Sequence, residues 1–277
     1  MMKILLIGLG TMGKNHLRVL KKLTTNMECV IKTCDYDTDK NADYINANHA
    51  IDDFNPTHVI IATTTKNHRK ILDSCIKKEV KYVLVEKPLV DSGDTLRYLD
   101  GKLKTKIMVG HIERYNPMIL KLKHFLNDKK VDTIICTRSG LISEAEDYKV
   151  DSDLCIHDID VCQLLTRSTS DEVGFSFKNI GKTVKVNSAN VFVEINGADC
   201  FLHADKKSPY KRRNIEVMGP GYFVEGDYIT QKVWINGVEE SVTKSEPLVT
   251  ELLAFIHMEY DVKDLHEAIN NLEILKE

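Results

Sequence analysis

A chain of 277 residues with a formal net charge of −3, 43% hydrophobic and 29% charged residues suits two modest globular domains. That charge balance argues against a nucleic-acid partner, and no apolar run reaches transmembrane length, which argues against a membrane partner. Seven cysteines, at positions 29, 34, 75, 136, 155, 162 and 200 with no C-x-x-C pair, point to reduced thiols, a cytoplasmic setting and no structural metal.

Met1-Met2-Lys3 leads directly into Ile4-Leu5-Leu6-Ile7, a predicted strand entering a glycine loop rather than a signal peptide. Gly8-Leu9-Gly10-Thr11-Met12-Gly13 follows, and a helical pattern runs from about Met12 to Leu23. In such a strand–turn–helix, Gly8 makes the turn and Gly10 lets the backbone approach a pyrophosphate. Gly13 lets the helix pack on the strand. The helix N-terminus, with Thr11 and Met12 in its first turn, then offers amide donors to the phosphates.

A second strand near Cys29 to Cys34 ends at Asp35, 22 positions after Gly13, where the ribose hydroxyls of NAD are read. A carboxylate there repels a 2′-phosphate, so NAD is favoured over NADP, and Asp37 and Asp39 reinforce that sign. Val59-Ile60-Ile61-Ala62 is the next buried strand, with Thr63 and Thr64 at its carboxyl end to line the cofactor. A helix from Asn67 to about Lys78 leads to Val83-Leu84-Val85-Glu86-Lys87-Pro88. Pro88 cannot continue a central ladder, so Lys87 stands at a strand's carboxyl end, the ligand-binding edge of an open α/β sheet. One more strand, at 106–110, completes a β-α-β-α-β-α-β alternation, that is, a doubly wound parallel Rossmann sheet.

Composition then changes. Gly110-His111-Ile112-Glu113-Arg114-Tyr115-Asn116-Pro117 precedes a helix to about Leu126. Residues 131–141, and several segments between 173 and 242, alternate with period two, as in an antiparallel sheet with one covered face. A helix is expected over 154–165, with Asp153 and His157 on one face at its start and Asp158 and Asp160 partly round from them. Two C-terminal helices, after Pro247 and over 264–275, read as structural. The whole is an α/β protein: an N-terminal domain over 1–112 and an α+β domain with an open antiparallel or mixed sheet over 113–277.

The glycine loop, Glu86-Lys87-Pro88 and the Asp153-x-x-x-His157 pair together resemble the glucose–fructose oxidoreductase and inositol dehydrogenase family across nearly the whole chain. The resemblance implies that Lys87, Asp153 and His157 surround the substrate carbon facing a nicotinamide. It also implies that the second domain binds substrate and forms the interface of a homodimer or homotetramer. Residues 110–117, 211–217 and 226–231 look like the branch acting on UDP-sugars, which includes the UDP-N-acetylglucosamine 3-dehydrogenases. Thr65 departs from the pattern by standing where a proline is common.

Oxidising a secondary alcohol requires a base for the hydroxyl proton and an acceptor for the hydride. His157, with its proton affinity near working pH, is the natural base, and Asp153 binds a substrate hydroxyl. Lys87 polarises the oxygen as it becomes a carbonyl, or relays the proton; the sequence leaves the base open between Lys87 and His157. Tyr115 and Asn116 are candidates for touching sugar hydroxyls. Arg114, with His111 and Glu113, belongs either to a buried network or to the substrate site. Lys211 and Arg212, in a basic run with Lys206, Lys207 and Arg213, are candidates to seat a diphosphate, the alternative being a solvated strand edge. The expected ligands are thus NAD and a small-molecule sugar or nucleotide-sugar. A metal held by His157, Asp158 and Asp160 is disfavoured, because no second histidine or cysteine lies at ligand spacing.

Overall fold

The computed structural model describes residues 1–90, 98, 103–141, 150–167, 177–185, 187–257, 259 and 262–276. They form two compact units: residues 1–111 with 248–269, and residues 112–247 with 270–277.

In the first unit, β1 (Met2–Ile7), β2 (Cys29–Cys34), β3 (His58–Ile61), β4 (Tyr82–Glu86) and β5 (Lys106–Gly110) form a sheet in the order β2-β1-β3-β4-β5. All four pairings are parallel. Every residue of β3 and β4 is buried, as expected for strands covered on both faces, and this explains their unbroken apolar runs. The intervening helices α1 (Thr11–Leu23), α2 (Ala47–Phe54) and α3 (Thr65–Lys77) are amphipathic; α1 buries Gly13, His16, Val19 and Leu20, one stripe at helical spacing. The expected doubly wound parallel sheet is therefore present.

Of α6 (Pro247–His257), the residues from Leu248 onward also belong to this unit. Its Phe255 ring meets His58 edge-on at 5.4 Å, and Leu252 is fully buried. The division expected at 112/113 falls at 111/112, and the C-terminal segment does not all join the second unit. An apolar helix stripe shows that a helix packs, not what it packs on. The last helix, α7 (Val262–Lys276), is divided between the units after Ile269.

The second unit carries α4 (Pro117–Leu126), β6 (Thr133–Ser139) and α5 (Ile156–Leu165), which a π-helical turn at Asp151–Cys155 precedes. Seven further strands follow: β7 (Phe177–Val184), β8 (Ser188–Ile195), β9 (Ala198–Asp205), β10 (Arg212–Gly219), β11 (Tyr222–Asp227), β12 (Lys232–Ile235) and β13 (Val238–Glu240). The eight strands are ordered β13-β12-β11-β10-β6-β9-β8-β7. The sheet is mixed, since β6 and β9 pair in parallel while the other pairings are antiparallel. Inward residues such as Val191, Val193, Cys200, Leu202, Ile215 and Val217 pack with Met118, Leu122, Ile159 and Cys162 of α4 and α5 in one core. The opposite face carries the Phe192–Phe201 ring pair at 5.0 Å, with Phe201 45% exposed.

Candidate functional site

In the first unit the candidate residues lie at the carboxyl edge of the parallel sheet. Gly8 has φ +99°, and a Cβ there would collide with the Ala62 backbone, while one on Gly13 would collide with the Gly8 carbonyl. Only glycine allows β1, α1 and β3 to meet so closely. Gly10 differs: a Cβ would meet nothing within 4 Å, so its surface is open. It also caps α1 without a side-chain hydrogen bond, and no acidic residue occupies the first turn. The amides at the start of α1, where Thr11 and Met12 lie, are thus left for an anion. Thr63 and Thr64 lie between β3 and α3, with Thr64 at the N-cap of α3. Thr65 takes the first helical position, which also suits proline, so the departure from the family pattern leaves the loop intact.

Asp35 is 5% exposed and accepts from Leu9 N at 2.6 Å and Asp37 N at 3.0 Å, with Lys40 Nζ at 3.2 Å. Burial works to raise its carboxyl, but the Asp37 and Leu9 amides and Lys40 outweigh that and hold it below the ordinary value. The carboxylate thus fastens the glycine loop to the end of β2. Lys40 was not anticipated, although its place five residues on, in a turn capped by Asp37, was the available signal. Tyr36, 84% exposed beside Asp35, also escaped notice.

Lys87 directly follows β4, and its own amide contacts Glu86 Oε2 at 3.3 Å. The Lys87–Pro88 peptide is cis. Buried His68 ties this turn to the one after β3, with Nδ1 2.9 Å from the Pro88 carbonyl and Nε2 3.1 Å from that of Thr63. Glu86 is 8% exposed and lies 2.7 Å from His16 Nε2. Neither histidine was singled out in the sequence; each is a lone polar residue on the buried stripe of a helix.

The remaining candidate residues belong to the other unit. Asp153 lies in the π turn and His157 in the first turn of α5, both half-buried. Lys206 Nζ is 3.2 Å from Asp153 Oδ2. Beneath α5, Arg138 donates to Asp158 at 2.9 and 3.3 Å and to Glu113 at 2.9 Å, with Arg213 3.8 Å from Glu113. Burial opposes the Arg138 charge, but Asp158 and Glu113 overcome it and raise the guanidinium well above its ordinary value.

One open alternative narrows here and one expectation gives way. Arg114, left open between a buried network and the substrate site, is 5% exposed and grips Asp160 with two bonds of 2.7 and 2.6 Å, the geometry of the network alternative. Asn116 is 2% exposed; it accepts from Met118 N at 3.1 Å as the cap of α4 and donates to the Tyr228 carbonyl at 3.2 Å. Both ends of its amide are committed to the fold. Tyr115 remains half-buried at the end of the preceding 3₁₀ turn. Exposed Lys211 and Arg212 line, with Arg213, Tyr210 and Asp227, a shallow pocket of about 270 Å³.

The parallel sheet, open Gly10 and uncapped α1 define a dinucleotide-binding Rossmann domain. Residues 2–111 match the oxidoreductase family with an NAD-binding Rossmann fold, so the cofactor of this unit is NAD. Similar sequences include the inositol 2-dehydrogenase of Salmonella typhimurium, 27% identical in an alignment of 180 positions that covers 58% of this chain and 53% of that protein. An inositol 2-dehydrogenase of Saccharopolyspora erythraea is 25% identical over 183 positions, covering 59% of this chain and 53% of that one. The match thus spans about half the length of these relatives. Among solved structures, UDP-N-acetylglucosamine 3-dehydrogenase from Acidithiobacillus ferrooxidans superposes with a TM-score of 0.80 at 18% identity, covering 99% of this chain and 96% of that one. A levoglucosan dehydrogenase in complex with NADH and levoglucosan gives 0.78 at 14%, covering 99% and 96%. At such identities these structures speak for the fold. Among the described residues, no helix is long and apolar enough to cross a membrane.

Proposed function

We propose that this protein is an NAD-dependent dehydrogenase that oxidises a secondary hydroxyl of a sugar, in particular the 3-hydroxyl of a UDP-N-acetylhexosamine or its uronate. The observation that carries the reading is Lys87, set by β4 on the same sheet edge as the open glycine loop of an NAD-binding domain. NAD, when bound, supplies the hydride acceptor. Residues 8–13 hold its phosphates and Asp35 its ribose. Lys87 and His157 are the two proton carriers for the reacting hydroxyl, and Asp153, paired with Lys206, accepts a hydrogen bond from a substrate hydroxyl.

Lys211 and Arg212 support a diphosphate-bearing substrate, because both are exposed cations at one pocket. The likeness to a UDP-N-acetylglucosamine 3-dehydrogenase points the same way, whereas the inositol 2-dehydrogenase relatives favour a free polyol as the second reading. The deciding experiment follows NADH formation with UDP-N-acetylglucosamine, its uronate, free sugars and inositol. Turnover of a UDP-sugar is expected. Turnover of inositol alone moves the assignment to the second reading, and NAD binding without turnover of any of them makes the protein a sensor.

The bare sheet face bearing Phe192 and Phe201 further supports assembly into a homodimer or homotetramer. Light scattering at micromolar concentration should show an oligomer, and a monomer there contradicts it.

A further inference from the structure

Glu251 of α6 is fully buried, and neither carboxyl oxygen has a hydrogen-bond partner. Its nearest polar company is the His16–Glu86 pair: one ligand atom from each of the three residues lies within 4.8 Å of the others. His16 presents Nε2 to Glu86 at 2.7 Å, while its Nδ1 is buried without a partner. An unmet buried acceptor costs less than an unmet donor, because an N–H has one bond to make and no alternative. The neutral ring donating Nε2–H to a Glu86 carboxylate is therefore the favoured arrangement. That bond commits the imidazole nitrogen and leaves it no lone pair for a cation. A second carboxylate facing Glu86 in this dry site would be uncompensated.

We infer that Glu251 is a positioning residue for Lys87: a neutral carboxylic acid that lets Glu86 remain on His16 and so fixes the strand end carrying Lys87. The role assigned to Lys87 rests on the proposed function; the state of the cluster does not. The geometry is close-packed around Glu86, since a Cβ on Gly110 would stand 3.2 Å from its carboxyl. Among the described residues, His16 from α1, Glu86 from β4 and Glu251 from α6 are the histidine, cysteine, aspartate and glutamate groups that meet there. Burial first, and then the Glu86 charge, raise the Glu251 carboxyl well above its ordinary value. A raised folded-state value contributes stability that is complete below the ordinary glutamate range and is lost as pH rises through the folded value.

Thermal melts of wild type and Glu251→Gln from pH 5 to 9 test the cluster without any substrate. The amide copies the neutral acid, so the variant should melt higher, by about 3 °C more for each pH unit until Glu251 ionises. Parallel melting curves overturn the inference, as does stoichiometric zinc or manganese that stabilises wild type alone. Should the variant fail to fold, carboxyl-carbon NMR of the wild type decides: one glutamate should stay protonated at neutral pH, and ordinary titration of every glutamate overturns the inference. The positioning role is read from the turnover profile, whose alkaline limb should move to higher pH in Glu251→Gln. An unmoved limb alongside a widening melting gap removes that role alone, whereas a wild type inert toward every sugar removes the proposed function instead.

Discussion

The two units treat buried charge in opposite ways. In the second, three guanidinium groups, Arg114, Arg138 and Arg213, stand among three carboxylates, Glu113, Asp158 and Asp160. In the first, Glu86 and Glu251 stand beside a single imidazole. The balanced set is a scaffold under the helix that carries His157, with every guanidinium facing a carboxylate. The unbalanced set stays buried only by keeping a carboxyl neutral. Its Glu86 adjoins Lys87, the proposed proton carrier. Removing one ionisable group should therefore destabilise one unit and, above the ordinary glutamate range, stabilise the other.

Arg138→Leu is the strongest way to break the comparison. It strands Asp158 and Glu113 as buried carboxylates and should cost on the order of 3–5 kcal/mol in urea unfolding. A loss below about 1 kcal/mol would show that the network is wet and the contrast false. Exchanging the whole set for well-packed apolar residues should cost far less than the single change, because no charge is then left alone.

Next come the groups that the two clusters support. Lys87→Ala and His157→Ala should each lower turnover about a hundredfold or more, the usual worth of a positioned acid–base group. NAD affinity, measured by titration, should change little, because phosphate and ribose contacts are assigned to residues 8–13 and Asp35. Near wild-type turnover in either variant would refute its catalytic assignment.

Much of this was legible in the sequence. The five parallel strands, the glycine loop and the strand end at Lys87 announce themselves through local rules: an apolar run, a turn that tolerates only glycine, a proline that halts a ladder. The alternating strands after residue 131 were equally plain. What escaped was the pairing of polar residues distant in sequence. His16, Glu86 and Glu251 come from three separate stretches, and no periodicity connects them. Arg114 and Asn116 sat in a motif that pointed to sugar, yet burial gave both to the fold. Asp158 and Asp160 could be placed on α5 from the sequence, but their arginine partners are 20 and 46 residues away. Segment 142–149 and the start of the alternating region, 173–176, lie outside the described residues.

The smallest effect is expected at Asp35, which sharpens the comparison from a third direction, because its charge is held largely by backbone amides. Its carboxyl lies below the ordinary value, opposite in sign to Glu251. A lowered folded-state value contributes stability that is present above the ordinary aspartate range and lost as pH falls through the folded value. Asp35→Ser should thus cost about 1 kcal/mol at neutral pH, the worth of a hydrogen-bonded carboxylate, and progressively less in acid. The same change should narrow the preference for NAD over NADP by about 1–2 kcal/mol, because the carboxylate would face a 2′-phosphate. Titration with both cofactors checks this. Tighter NADP binding by the wild type would sink the assignment and turn attention to Lys40, whose ammonium already lies 3.2 Å from Asp35 and would be the natural partner of that phosphate.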